Sequence, residues 1–326
     1  MNVFVTGGAG YIGGMVAQAL LEAGHQVTIY DNLSKGHRAA IPQGASFIRG
    51  DILSQDELDR AMGAQVYDAV LHFAALIEAG ESMKDPTRFF HNNVTGSAHL
   101  IDCAQRHGVD RIVFSSSAGV YQSKDDPLCE DDPVGPSSVY GETKLMVERM
   151  LHWYHVVFGL KVAVLRYFNA AGAIPGRGEA HQPESHLIPL VLQVALGQRE
   201  KIFVYGDDYP TSDGSCIRDY VHIVDLASAH LSALAALNDQ RPFLTYNLGT
   251  GRGFSVKEVI AAARTITGHP IPAEVTPRRP GDAARLVADS SRIQAELGWQ
   301  PSIPTITDII RSAWEWHQSH PTGYEV

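Results

Sequence analysis

Tyr140 and Lys144 stand four residues apart in the stretch YGETK. If that stretch opens a helix, both side chains lie on one face. A free tyrosine has a pKa near ~10 and is a poor base at neutral pH. A neighbouring ammonium favours its phenolate, and a phenolate can exchange a proton with a substrate hydroxyl. Upstream, FSSSAGVY lines up Ser115, Ser116 and Ser117, and one serine hydroxyl there can bridge the tyrosine and a substrate oxygen. Taken alone, a Tyr-x-x-x-Lys spacing is common by chance on solvated helix faces. Its weight depends on what surrounds it.

The stretch TGGAGYIG, Thr6 to Gly13, supplies that context. Gly7, Gly10 and Gly13 follow the GxxGxxG spacing and sit between an apolar run and a helical one. In a dinucleotide loop the first glycine permits the turn. The second lets the backbone approach a pyrophosphate, and the third lets helix pack on strand. The helix N-terminus then offers free N–H groups to the phosphates. Asp31 ends the next apolar run, eighteen residues past Gly13. A carboxylate there accepts from adenosine ribose hydroxyls and repels a 2′-phosphate, so the reading is NAD rather than NADP. Asp51, after the third such run, is placed to reach the adenine edge. The positive ring of oxidised NAD would further favour the Tyr140 phenolate.

These residues need a scaffold, and the order of elements provides one. Apolar runs at Asn2–Thr6, HQVTIYDN, ASFIRGDI, YDAVLHFAA, RIVFSSS and KVAVLRYFN alternate with helical patterns, including long ones near 86–107 and 140–158. Alternation with short connections predicts an α/β doubly wound parallel (Rossmann-type) sheet with ligands at its carboxyl edge. A smaller C-terminal α/β substrate-binding domain follows. Residues 1–168 are expected to hold the cofactor, with a returning segment at about 219–238, and 169–326 mainly the substrate.

The 326 residues carry a net charge of −10 and no basic run, which argues against a nucleic-acid binder. Cys103, Cys129 and Cys216 are scattered, so neither a disulfide framework nor a zinc site is expected. No segment reaches the length of a membrane helix, and no charged, apolar leader opens the chain; a cytoplasmic protein without membrane partners is expected. GxSxG, HExxH and P-loop patterns are missing. His181 and His186 share a loop, but no third ligand is evident, so no metal is predicted.

The glycine loop, Asp31, the serine run and YGETK resemble the extended short-chain dehydrogenase/reductase family. HFAALIEAGES, NNVTGS, LRYFNAAGA, GDDYPTSDGSCIRDYVHIVDLA and RRPGDAARLVADSS narrow the resemblance to its UDP-galactose (UDP-glucose) 4-epimerase branch, nearly end to end. The resemblance implies inversion at carbon 4 of the sugar by transient oxidation and re-reduction with tightly held NAD. Matched by position, Tyr140 is the base, Lys144 lowers its pKa and holds the nicotinamide ribose, and Ser117 hydrogen-bonds the 4-oxygen. The cofactor would further meet Tyr11 and Ile12 of the glycine turn, then Asn32, Leu33, Ser34, Lys35 and Gly36. Ile52, Phe73, Ala74, Ala75 and Asn92 come next along the chain, with Ser115, Tyr167 and Phe168 near the reacting end. The UDP-sugar would meet Asn169, His186, Leu187, Tyr205, Arg218, Arg279, Asp282 and Leu286. Arginines suit a diphosphate, Tyr205 can stack on uracil, and Asp282 can accept from the uridine ribose.

Departures from the family pattern bear on function. Ile77 replaces a frequent lysine, so one contact to the NAD phosphates is missing and added NAD is expected to help. His186-Leu187 replaces Asn-Leu; His186 can still donate to phosphate or sugar, or simply pack in its loop. Leu286, where a tyrosine goes with plain hexoses and a small residue with N-acetylated ones, leaves UDP-N-acetylhexosamines open. UDP-pentoses and UDP-glucuronate also stay open, as does, further off, a non-catalytic NAD-sensing protein. A 4,6-dehydratase lacks support, because SSSAGV has no acidic pair after the strand-end serine. A homodimer built from the two long helices is expected from the resemblance; those helices can equally cover the sheet.

Overall fold

The computed structural model describes residues 1–279 and 282–324. Residues 280 and 281, in the middle of the proline-rich turn TPRRPGD, lie outside them. The first half of the chain lays down strands β1 (Asn2–Thr6), β2 (Gln26–Asp31), β3 (Ser46–Arg49), β4 (Ala69–His72), β5 (Arg111–Ser117) and β6 (Lys161–Tyr167). Between them run helices α1 (Tyr11–Glu22), α2 (Gln55–Met62), α3 (Ala79–Ser82), α4 (Pro86–Phe89), α5 (Gly96–Arg106) and α6 (Val139–Phe158). The second half adds β7 (Asn169–Ala171), α7 (Leu187–Ala195), β8 (Ile202–Tyr205), β9 (Ile217–His222), α8 (Ile223–Ala236), β10 (Phe243–Leu248) and β11 (Gly253–Ser255). It closes with α9 (Val256–Thr267), β12 (Ala273–Thr276), β13 (Arg285–Leu286), α10 (Ser291–Leu297) and α11 (Ile306–Ser319).

Seven parallel strands form the main sheet in the order β10-β6-β5-β4-β1-β2-β3. The order reverses beside β1, which is where a doubly wound sheet opens a crevice at its carboxyl edge. The inner strands are apolar on both faces because helices cover both. One face packs α1 and α8 around Val5, Val16, Leu20, Leu226 and Ala229. The other packs α2, α5 and α6 around Phe4, Leu58, Leu100, Phe114 and Leu151. A third core joins α7, α9 and α11 beneath the small sheet of β11, β9, β13 and β7.

Two expectations from the sequence need correction. The sequence reading limits the return to about 219–238 and leaves the later residues to the substrate half. Instead β10 joins the large sheet beside β6, whereas β9 pairs within the small one. The chain therefore returns through α8 and β10, because β10 covers the outer edge of β6. The helix read near 86–107 is interrupted by a π-turn at Phe90–Thr95 between α4 and α5. α6 matches its reading closely. Ser138 caps its start, accepting from the Gly141 amide at 3.1 Å, and Gly159 ends it at φ +71.

Candidate active site

The cofactor side starts at the glycine turn. Gly7 lies at φ +70, and a Cβ there would sit 2.6 Å from the Ala74 nitrogen. A Cβ on Gly13 would come within 2.3 Å of the Gly7 oxygen. Both positions are thus closed to any side chain, and the helix start packs down on the turn. Gly10 is the N-cap of α1, with no side chain capping it and no acidic residue in the first turn. The Gly14 amide bonds the Gly10 oxygen at 2.9 Å, so the amides of Tyr11, Ile12 and Gly13 have no intrahelical acceptor. Asp31 ends β2, 8% exposed, and accepts from the Ala9 amide at 3.0 Å and the Leu33 amide at 2.8 Å. Burial raises its pKa, and those amides counter the rise. Asn32 donates to Asp51 at 2.9 Å. Unpaired amides for a pyrophosphate and a carboxylate for ribose hydroxyls together fit a dinucleotide. Lys35 is less available: its Nζ pairs with Glu78 at 2.8 Å and donates to the Gln182 oxygen at 3.1 Å.

The chemistry side lies at the carboxyl end of β5. The Ser117 hydroxyl takes the Gly119 amide at 3.1 Å and lies near enough to the Tyr140 phenol to favour its phenolate. Ser82 of α3 accepts the Tyr140 amide at 3.0 Å, fixing the first turn of α6. Lys144, one turn on, is 3% exposed, and its Nζ donates to the Ser115 oxygen at 2.7 Å. That nitrogen lies 5.9 Å from the Tyr140 ring centroid and 5.0 Å from that of Phe114. Burial pushes the phenol up to about 12; Ser117 pulls down and Glu78 pushes further up. Burial pushes the Lys144 amine down to about 7, with Glu148 opposing. The expectation that the Lys144 ammonium helps to lower the phenol is not met here, since Lys144 is not among the groups that shift it. Burial drives both groups toward their neutral forms, which gives the positive ring of the oxidised cofactor the larger part in favouring the phenolate.

Two buried hydrogen-bond networks hold these groups. In one, His72 of β4 joins Thr6 at 2.7 Å and Ser97 at 2.8 Å. Ser97 donates to the Asn93 oxygen, and the Asn93 amide donates to Thr143 at 3.0 Å; Thr143 in turn donates to the Tyr140 oxygen at 2.7 Å. The strand before the glycine turn is thus wired to the first turn of α6. Asn93 sits in the π-turn and also clamps both main-chain groups of Leu76. In the other network, Ser116 donates to Glu148, which pairs with Arg166 at 2.6 Å; Arg166 bonds Tyr121, and Tyr121 donates to Asn247.

On the substrate side, Arg279 lies over the Tyr205 ring at 4.6 Å and bonds Asp282 at 2.9 Å. Arg218 approaches Asp282 at 3.6 Å and donates to the Ala283 oxygen at 2.8 Å. The four residues therefore converge, with one face of Tyr205 already under a guanidinium. Leu286 pairs in register with Arg218 and packs with Phe168 beside Val120 and Leu145. Asn169 spends its amide on the Asp219 oxygen at 2.9 Å. His186 turns its Nδ1 to Glu179 at 2.8 Å and Glu184 at 2.9 Å. Leu187 opens α7 beside it.

Residues 3–249 match the model of the NAD dependent epimerase/dehydratase family. The chain belongs to that family. It is 51% identical to a UDP-glucose 4-epimerase of Halalkalibacterium halodurans, covering 99% of this chain and 98% of that one. The crystal structure of UDP-glucose 4-epimerase from Brucella ovis in complex with NAD superposes with a TM-score of 0.93 at 41% identity, covering 100% of this chain and 99% of that one. That from Bifidobacterium longum, in complex with NAD+ and UDP, gives 0.95 at 37% identity, covering 99% and 100%.

For a member of this epimerase/dehydratase family, sequence reading missed the supporting residues more than the reacting ones. Glu148 carried a signal, standing four residues past Lys144 on the same helix face. His72, Asn93 and Thr143 carried none beyond their polarity inside apolar elements. Glu179 and Glu184 did carry one: GEAHQPESH sets two carboxylates and two imidazoles within eight residues. The absence of a third donor beside His181 and His186 is corrected by their positions. Among the described residues, no helix is long and apolar enough to cross a membrane.

Proposed function

We propose that this chain interconverts UDP-galactose and UDP-glucose, using NAD for transient oxidation and re-reduction at carbon 4 of the sugar. The observation that carries the reading is the gathering of Ser117, Tyr140 and the Ser115-anchored Lys144 at the carboxyl edge of β5, in a chain so similar to UDP-glucose 4-epimerases over its whole length. When bound, NAD supplies a hydride acceptor that later returns the hydride. Tyr140 takes the 4-hydroxyl proton and returns it to the same oxygen once the 4-keto sugar has turned about its diphosphate link, so that carbon 4 regains its hydride on the opposite face. Ser117 holds the 4-oxygen. Lys144, anchored on Ser115, holds the nicotinamide ribose and keeps Tyr140 aligned. The large-sheet half holds the cofactor; Arg218, Arg279, Tyr205 and Asp282 of the other half hold the UDP.

Leu286, intermediate between a tyrosine and a small residue, leaves UDP-N-acetylhexosamines open as a second substrate class. The protein acts as a cytoplasmic homodimer. Its described cysteines are all unpaired, which suits a reducing compartment. Trp153, Val156, Val157 and Phe158 stand exposed at the end of α6, an apolar strip that a second copy can cover. Chromatography of UDP-galactose and UDP-N-acetylgalactosamine after incubation with purified protein, with and without added NAD, tests the reading. Conversion of UDP-galactose supports it, and activity only with added NAD ascribes weak retention to Ile77. If neither sugar is converted under either condition, the reading falls.

A further inference from the structure

Between β7 and α7 the chain brings Glu179, His181, Glu184 and His186 together, with one donor atom of each within 4.8 Å of all the others. The Nδ1 of His181 lies 2.9 Å from Glu179 Oε1, and the Nδ1 of His186 lies 2.8 Å from that oxygen and 2.9 Å from Glu184 Oε1. Both carboxylates are almost wholly buried, with side-chain exposures of 6% and 5%. Two buried carboxylates carry a charge of −2 that burial does not tolerate without pairing or a metal. Glu184 Oε1 also accepts the Ser185 and His186 amides at 2.7 and 2.8 Å, and both imidazoles already pair with Glu179, so what points to a metal is the convergence of four donors on one point. Lys35, which reaches the Gln182 oxygen inside this loop, gives its charge to Glu78 instead.

We propose that Glu179, His181, Glu184 and His186 form a structural zinc site. Two imidazoles and two carboxylates make a borderline donor set that suits zinc better than magnesium or calcium, which take mainly oxygen and more ligands. Four protein ligands close the shell, so the site leaves no open position for a reacting water. Zinc bonds of about 2.0–2.2 Å set tetrahedral ligand atoms roughly 3.3 Å apart, so the close nitrogen–oxygen pairs would open by about half an ångström.

The site's place gives it a task. His37 bonds the Ala180 oxygen at 2.9 Å, Trp316 donates to the Glu179 oxygen at 3.1 Å, and Tyr11 donates to the Gly172 oxygen at 2.5 Å. The loop therefore bridges the glycine helix, the turn after β2 and α11, and it ends at Leu187, where α7 begins. Zinc would clasp this loop over the cofactor half and act on stability and cofactor retention rather than on proton transfer. The proposal does not depend on which UDP-sugar is converted.

The test uses the full chain without a histidine tag, expressed with zinc and purified without chelator. Metal analysis by inductively coupled plasma mass spectrometry is expected to give about one zinc per chain. Dialysis against EDTA is expected to lower Tm by several degrees, with recovery on adding zinc. His181→Ala is expected to lose the zinc and the EDTA sensitivity together. Should that variant fail to fold, cobalt substituted into the unmutated chain reads the geometry directly, and an intense tetrahedral visible band is expected. Far less than one zinc per chain with no zinc-dependent Tm shift would overturn the proposal and leave an imidazolium–carboxylate cluster. Full zinc in a folded His181→Ala would also overturn it and move the metal elsewhere, for instance to Asp59, Cys103 and His107. A weak octahedral cobalt spectrum would do the same for the closed shell.

Discussion

The Nζ of Lys144 donates a 2.7 Å hydrogen bond to the main-chain oxygen of Ser115. The bond ties α6 to the end of β5, so the lysine is held by the sheet as well as by its own helix. Tyr140 and Ser117 flank that contact and take their alignment from it. The first prediction concerns their chemistry. Tyr140→Phe keeps the ring and removes the proton-transferring oxygen. Turnover should fall at least ~100-fold, the scale of one general base, while the NAD content of the purified protein stays unchanged. Assay and cofactor content measured on the same preparation check it.

Gly13→Ala addresses the opposite wall. Its Cβ would come 2.3 Å from the Gly7 oxygen, a backbone atom that no side-chain rotation can move aside. The glycine turn has to move away from α1. Purified protein should carry much less NAD and melt at lower temperature, and activity should recover in part when NAD is added in excess. Full NAD content with an unchanged Tm would show that the turn tolerates the methyl.

Glu148 and Arg166 form a buried ion pair beneath the serine run. Glu148→Leu strands the guanidinium and should cost about 3–5 kcal/mol in denaturant unfolding. Adding Arg166→Met should recover much of that loss, because the unpaired charge goes with it. A double variant no more stable than Glu148→Leu would mean that the network, rather than the charge pair, sets the cost.

Acid sensitivity has a defined source in His230. It is fully buried between Phe73 and Tyr167, and burial lowers its pKa from 6.5 to about 4, against a bond to the Leu226 oxygen. The folded pKa lies below the unfolded one, so the unfolded chain binds more protons between these values and stability falls as pH drops from 6.5 toward 4. The loss is of order 3 kcal/mol. His72 adds to it in the same direction, being lowered by burial and by Lys144 to about 3. His230→Phe should flatten the fall in Tm over this window, as read by thermal melts at stepped pH.

The large sheet was legible because its strands are buried on both faces and read as apolar runs. The glycine turn and Asp31 were legible because dinucleotide geometry fixes their spacing. β10 was misplaced because it enters the sheet after a long excursion through β7, β8 and β9, and its pattern does not say which edge it joins. The π-turn at Phe90–Thr95 escaped notice because it depends on Asn93 clamping Leu76, a contact remote in sequence. The effect of burial on Tyr140 and Lys144 escaped for a related reason: spacing reveals that two groups face each other, but not how dry their surroundings are. Arg218, Arg279, Tyr205 and Asp282 converge, whereas Lys35 found in Glu78 a partner that no linear motif announced, and His186 found Glu179 and Glu184, which GEAHQPESH sets beside it.

The most direct test follows the hydrogen at carbon 4. UDP-galactose carrying deuterium at that carbon is incubated with the purified protein and NAD in ordinary water, and the product is examined by mass spectrometry and NMR. Oxidation and re-reduction within one closed site predicts UDP-glucose with the deuterium still on carbon 4. Loss of the label to solvent, or no UDP-glucose at all, would contradict the account.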